Sequence, residues 1–373
     1  MVGPALSRAR TGRMYHHTRP LVEGKDGVID LSYDDLNDST RESVRAATIG
    51  RLMHHDADHY VRRAGLKALC EAVAERLAHR GMSVDPADEV VITGGIQETR
   101  FAAVRELAAE ARIAVTVPWI RDHYQPLATA ARATVTGLDT SLARIAPEAK
   151  EADVLLVVNP NPAAGRAYEP EVLDRLADWA RRLDLTVIAD ETTAGLLRPG
   201  LSHRPFATFP GAEDRTLTLG SFAHIPGLSA WRVAWLAGPS ELVGRVRELK
   251  QALTICSPAP SQFAALAGIA DSERSSGLHM ERVHAVVELL DRLALPHLIP
   301  QTVAYVVADV SALGGGRPVA RTCLRNGVRV LSGNHFGCPD QIRITCTGPE
   351  FPEGLSRLER TLKEMRKGRG SGD

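Results

Sequence analysis

Hydrophobic positions change their spacing along this chain, and the changes mark out its elements. Leu66, Leu69, Cys70, Val73 and Leu77 recur at helical spacing with arginines and glutamates between them, which predicts an amphipathic helix. Short apolar runs then alternate with longer amphipathic stretches. Glu89-Val-Val-Ile-Thr93 reads as a strand, broken by Gly94 and Gly95, and residues 97–109 read as the next helix. Residues 113–118 form another strand. Asp153-Val-Leu-Leu-Val-Val158 is nearly all apolar, the pattern of a strand buried on both faces. Val172, Leu173, Leu176, Ala180 and Leu183 mark a helical stripe, and residues 185–189 a strand that ends at Asp190. Residues 216–219 and 233–236 complete the series. Strand–helix alternation at this spacing predicts an α/β domain with a mostly parallel sheet, covered by helices on both faces. Such sheets bind ligands in the loops at their strand ends.

Ser257-Pro-Ala-Pro260 marks a domain junction. Beyond it come a helical stretch through Leu290, β-like runs at 302–307, 328–331 and 342–345, and a closing helix at 355–365. The pattern is that of a smaller α+β domain, with the N-terminal segment packing back onto it. The predicted division is residues 1–50 as an N-terminal arm and part of the small domain, 51–258 as the large domain, and 259–373 as the small domain. The first thirty residues lack periodicity and read as an extended arm. The basic run Lys363, Lys367, Arg369 reads as a frayed tail.

Composition narrows the function classes. Forty-five basic side chains balance forty-five acidic ones, so no global field favours nucleic acid or an anionic membrane. No window approaches eighteen uncharged apolar residues, and no apolar run follows the early basic residues, so neither a membrane span nor a signal peptide is expected. Five cysteines are scattered without a close pair. That suits a reducing cytoplasm, buried thiols and no metal site.

Several motifs then fall in one order. Ser221-Phe-Ala-His-Ile-Pro-Gly-Leu-Ser-Ala-Trp-Arg232 is similar to the lysine-loop signature Ser-x-Ser-Lys-x-x-Gly-x-x-Gly-x-Arg of class I/II aminotransferases, matching at Ser221, Gly227 and Arg232. Asp190-Glu191 closes a buried strand as the family's Asp-Glu pair does. Asn159-Pro-Asn-Pro-Ala-Ala-Gly165 is a degraded copy of Asn-Pro-x-Asn-Pro-Thr-Gly, and Thr93-Gly-Gly-Ile-Gln97 is similar to the phosphate-loop segment. Tyr60 precedes Gly65-Leu66, and Gly333 and Phe336 precede Ile342-Arg343-Ile344, both in family order. From about residue 30 to the C-terminus the chain resembles a fold type I, pyridoxal phosphate-dependent aminotransferase. The resemblance implies a seven-stranded, mostly parallel sheet domain, a smaller α+β domain, and a homodimer with shared sites.

It also implies roles. Free N–H groups of Gly95, Ile96 and Gln97 at a helix start would hold the cofactor phosphate, with Ser221 and Arg232 beside them. Tyr60 would reach that phosphate across the dimer interface. Asp190 would pair with the ring nitrogen, backed by His123 as a second layer of support, and Arg343 would grip a substrate carboxylate through its planar fork. The departures gather around the ring. His224 stands where the family keeps its imine-forming lysine, and Ala230 where it keeps a glycine. Thr193 replaces a ring-contacting tyrosine and Pro162 an asparagine, with Asn161 next to it. Ile120 replaces the stacking aromatic, with Trp119 one place earlier. Of the lysines Lys25, Lys67, Lys150, Lys250, Lys363 and Lys367, none lies on a motif suited to the imine, and Lys250 reads as solvent-facing. Trp231, Trp235 and Tyr305 read as core aromatics before pocket walls.

Histidine forms no such imine but moves protons. Three readings follow. The first is an atypical aminotransferase-like enzyme of specialised biosynthesis, acting on an amino acid or amino-sugar-like metabolite. It would hold pyridoxal 5'-phosphate, pyridoxamine 5'-phosphate or a preformed imine noncovalently, with His224 as acid or base. The second is a cofactor-independent enzyme whose pocket takes another anionic metabolite. The third is a non-catalytic dimeric scaffold or regulatory partner.

Overall fold

The computed structural model describes residues 27–32, 39–54, 58–116, 121–138, 151–162, 165–271 and 276–370. Its larger sheet has seven strands: β2 (Val90–Thr93), β3 (Arg112–Val115), β4 (Thr134–Gly137), β5 (Val154–Val158), β6 (Thr186–Asp190), β7 (Thr216–Ser221) and β8 (Ala234–Ala237). They lie in the order β2-β8-β7-β6-β5-β3-β4. Only β8 runs against its neighbours, so the sheet is mostly parallel as expected. All five residues of β5 and all six of β7 are buried, and β5 is a continuous apolar run, whereas β7 carries Thr216, Thr218 and Ser221. Alternate side chains of β5 and β6 feed two different cores. Leu156, Val158 and Ile188 pack in one with helix α3 (Ile96–Leu107) and helix α4 (Arg121–Ala130); Leu155, Val157, Val187 and Ala189 pack in the other with helix α5 (Pro170–Arg182).

The smaller sheet has the order β1-β10-β11-β9, built from β1 (Ile29–Leu31), β9 (Tyr305–Asp309), β10 (Val328–Ser332) and β11 (Gln341–Thr345). Strand β1 pairs in parallel with β10, so the N-terminal segment does return to this domain. Its core joins Ile29 and Leu31 to helices α8 (Ser276–Arg292), α9 (Gly316–Arg325) and α10 (Phe351–Gly370).

The helical stretch after Pro260 is two helices, and the first belongs with the larger domain. Helix α7 (Ala259–Asp271) packs on α1 (Glu42–Leu52) and α2 (Lys67–Ala78), and its Ala264 and Ala265 enter the larger core. The expected frayed C-terminus is instead helical through Gly370, with i,i+4 ion pairs Arg357–Glu353 at 2.8 Å and Lys363–Glu359 at 2.7 Å along it. The N-terminal arm before residue 27 lies outside the described residues.

Candidate functional site

Sheet register gathers the first group of candidates. Ala234 of β8 pairs with Thr93 of β2 on one side and Ser221 of β7 on the other. The turns that follow Thr93 and Ser221, and the one that precedes Ala234, therefore meet at one sheet edge. Gly95 caps α3 with φ of 95°, and a Cβ there would lie 2.7 Å from Nη2 of Arg232. The backbone angle favours glycine, and the guanidinium lies close against it. Ile96 and Gln97 open the helix, where backbone N–H groups lack acceptors within the helix. Glu98 Oε2 accepts from the Gly94 N–H at 3.0 Å and Thr99 Oγ1 donates to the Gly95 carbonyl at 3.1 Å, which fixes the entry turn. Arg232 is exposed, with φ of 52°, an angle non-glycine residues seldom adopt, and its Nη1 donates to the Ser229 carbonyl at 3.4 Å. Ser221 Oγ accepts from the Ala223 N–H at 3.0 Å. A helix start facing a guanidinium suits an anion with several acceptor oxygens.

Asp190 is wholly buried at the end of β6, and its acceptors are taken. Arg100 of α3 donates to Oδ2 from Nε at 2.9 Å, and its Nη2 lies 2.8 Å from the same oxygen and donates to Thr192 Oγ1 at 3.3 Å. Tyr124 of α4 donates its hydroxyl to the same oxygen at 2.7 Å. Thr192 serves Oδ1 through its hydroxyl at 2.7 Å and its N–H at 3.2 Å. Burial works against the charged carboxylate. The Arg100 guanidinium and the hydrogen bonds from Thr192 and Tyr124 outweigh it and hold Asp190 below the usual carboxylate range. Burial and the Asp190 charge push the Tyr124 hydroxyl well above its ordinary value, so it stays a donor. Sequence reasoning named His123 as the residue behind Asp190. The next residue, Tyr124, donates to Asp190, while the side chain of His123 lies outside the described residues. Arg100 and Thr192 were missed altogether. The readable signal for Arg100 was a charged residue at helical spacing from the buried Ala103, Val104 and Leu107 of α3.

His224 follows the end of β7 by three residues. Its imidazole rests on Gly195, where a Cβ would come within 2.1 Å of the ring. It lines a cleft of about 30 Å³ together with Val73, Arg76, Leu77, Arg80, Phe222 and Trp235. None of the phosphate-loop residues, and neither Asp190 nor Arg232, lines that cleft. The residue keeps some exposure, but its Nδ1 is closed off without a hydrogen-bond partner among the described residues. Burial and the nearby Arg76 and Arg80 push the imidazole down to about 3, so it is neutral at ordinary pH. The other member of the acidic pair, Glu191, is also committed: Oε1 accepts from the Phe206 N–H at 2.6 Å and Oε2 lies 2.7 Å from Nε2 of His203.

The remaining candidates are spread out. Arg343 is buried in β11 with its guanidinium 4.4 Å from the centre of the Tyr305 ring, and it donates to the Pro162 carbonyl at 3.3 Å and the Ser32 carbonyl at 3.5 Å. It thus joins the small domain to the turn at 161–166, where the Asn161 N–H donates to the Arg166 carbonyl. Thr193, at the tyrosine position, donates its hydroxyl to the Pro160 carbonyl at 2.8 Å. Tyr60 is 82% exposed. Trp119 lies outside the described residues. Trp231 donates to Thr40 Oγ1 at 3.0 Å, and Trp235 is a cleft wall. Lys250 corrects its expectation. It is buried, not solvent-facing, in helix α6 (Ser240–Thr254), with no hydrogen-bond partner for Nζ among the described residues; burial lowers its pKa against the opposing pull of Glu98.

These residues fit one end of pyridoxal phosphate and not the other. The helix start with Arg232 suits its phosphate. The ring end does not fit: Asp190 is already neutralised by Arg100 and its acceptors are filled, position 224 carries an imidazole that forms no imine, and Thr193 is turned to the backbone. No cluster of His, Cys, Asp and Glu among the described residues is arranged to hold a metal ion.

Comparison with known proteins agrees with the fold. A family model described as aminotransferase class I and II matches residues 26–357. The arginine–pyruvate transaminase of Pseudomonas aeruginosa is 29% identical, over 86% of both chains. The aspartate/prephenate aminotransferase of Thermus thermophilus is 26% identical, over 90% of this chain and 91% of its own. A solved structure of a double mutant of Thermus thermophilus aspartate aminotransferase superposes with a TM-score of 0.80 at 25% identity, covering 90% and 92% of the two chains.

Proposed function

Because the chain belongs to the class I and II aminotransferase family, we propose that it uses the family's cleft for a small phosphate-bearing metabolite, without an imine-bound pyridoxal cofactor. The family as a whole is associated with pyridoxal and pyridoxamine phosphate, and its members' activity gives this chain enzymatic potential. One observation carries the proposal: Arg232 stands over Gly95 at the start of α3 while the ring end of the site is closed by protein groups. In this reading the N–H groups of Ile96 and Gln97 and the Ser221 hydroxyl bind phosphate oxygens, and Arg232 neutralises their charge. Arg343 meets a carboxylate or other acceptor from the small-domain side. The working unit is a homodimer. Ile49, Met53 and Tyr60 are 60%, 80% and 82% exposed, and Leu253 and Ile255 49% each, an apolar outlay that a partner subunit would cover.

The alternative, a noncovalent pyridoxal or pyridoxamine phosphate enzyme with His224 as acid or base, is favoured by the same phosphate loop. It needs the imidazole to leave the α2 cleft and Asp190 to release Arg100. Calorimetric titration separates the two. Benzyl phosphate, a phosphate ester with no ring nitrogen, binds wild type, and Arg232→Ala weakens that binding at least about tenfold, on the order of 1.4 kcal/mol. Equal binding to wild type and Arg232→Ala would refute the phosphate assignment. An absorbance band of bound pyridoxal phosphate that His224→Ala abolishes would establish the alternative.

A further inference from the structure

Asp190 is the one group in the cleft whose partner defines what ligand fits, and this chain supplies that partner itself. We infer that Arg100 takes the electrostatic place a ring cation would hold beside Asp190, and thereby selects a ligand with no positive charge at that depth. The inference rests on the phosphate-bearing cleft proposed above and names the class of ligand that enters it: a phosphate ester whose body is neutral or anionic where it approaches β6.

Three features of the cluster support this. First, the guanidinium is held at two points: Nε donates to Asp190 Oδ2 at 2.9 Å, and Nη2, 2.8 Å from the same oxygen, donates to Thr192 Oγ1 at 3.3 Å, so displacing it breaks both bonds. Second, the cluster is saturated. Tyr124 adds a second donor to Oδ2, and Thr192 adds two to Oδ1, so an incoming N–H would have to evict a bond already made. Third, the pair is sealed in. The Arg100 side chain keeps only 14% of its surface and the Asp190 side chain none. A second cation beside a guanidinium at such depth meets uncompensated repulsion in a medium that screens poorly. Arg100 sits one turn into the helix whose first residues form the phosphate loop, so phosphate binding and charge selection are built on one rigid element.

Removing the guanidinium should reverse the preference. In Arg100→Leu, Asp190 is left buried and uncompensated until a ligand brings a cation. The test titrates pyridoxamine 5'-phosphate, which carries the ring nitrogen and lacks a reactive aldehyde, against benzyl phosphate, which has neither. Wild type is expected to bind benzyl phosphate at least about tenfold tighter than pyridoxamine phosphate, whereas Arg100→Leu binds the pyridine compound at least about tenfold tighter. Its unfolding midpoint falls without ligand and rises with pyridoxamine phosphate but not with benzyl phosphate. Arg100→Leu/Asp190→Leu, with neither charge, regains ligand-free stability and loses the preference. If Arg100→Leu folds only when pyridoxamine phosphate is supplied, the inference is equally supported. It is overturned if wild type itself prefers the pyridine compound tenfold, or if folded Arg100→Leu shows no preference. Failure of both compounds to bind wild type would defeat the cleft reading, while the stability comparison of the variants still decides on Arg100.

Discussion

A guanidinium and a carboxylate buried together, as Arg100 and Asp190 are, oblige each other to stay. Removing one partner of such a pair costs about 3–5 kcal/mol, because the other charge remains in a poorly solvating interior. Asp190→Leu should therefore destabilise the chain nearly as much as Arg100→Leu, which chemical denaturation of both variants checks. His224 carries a second residue-level consequence. Its folded pKa of about 3 lies below the ordinary 6.5, so between those values the unfolded chain binds a proton that the folded chain refuses. The stability it contributes is complete above about pH 6.5 and drains away as pH falls toward 3. His224→Phe should flatten the decline of the unfolding midpoint over that window, and an imidazole NMR titration of wild type should show no transition near 6.5. A ring titrating at its ordinary value would place His224 in solvent instead. At this scale the sequence was legible where a motif names a position, as with Asp190, Gly95 and Arg232. It was silent on Arg100, Tyr124 and Thr192, because which side chains converge on a strand end is decided by the crossing of α3 and α4 over the sheet.

Elements were more legible than the partners they choose. Strand β5 announced itself because burial on both faces leaves no polar residue to interrupt the run. Strand β4 escaped notice because only Val135 of its Thr134-Val-Thr-Gly137 is buried. Lys250 was misread for the opposite reason: a helix bearing Arg245, Arg247, Glu248 and Lys250 reads as polar, yet α6 turns Lys250 inward toward α3. A buried amine with lowered pKa is a cost to folding at neutral pH, since below its ordinary value of 10.5 the unfolded chain holds the proton more firmly. Lys250→Met, similar in volume and apolar, should raise stability at pH 7 by about 1–3 kcal/mol, measured as the denaturant midpoint. A drop in the midpoint would mean that the amine holds the α3–α6 contact together. Gly195 makes the converse case. Its bare Cα lets the His224 ring lie flat on the turn after β6, so Gly195→Ala should expel the ring and lower the unfolding midpoint.

Across the whole molecule, two domains, two sheets and their connection follow the aminotransferase pattern over residues 26–357. No helix among the described residues is long and apolar enough to cross a membrane. The fold was legible because strand–helix alternation and motif order act over hundreds of residues and tolerate local change. The chemistry was less so, because a few substitutions at one strand end decide what the cleft holds. The proposed assembly predicts a dimer mass of about twice 40.3 kDa by light scattering, and Tyr60→Glu/Met53→Glu should shift the distribution toward the monomer. The most direct test of the central claim is a crystal structure of wild type grown with pyridoxamine 5'-phosphate. It should show Arg100 still clasping Asp190 near 2.8 Å, with any bound phosphate at Gly95 and no ring nitrogen on the carboxylate. Arg100 swung out of the cluster, with a pyridine nitrogen in its place on Asp190, would contradict the account.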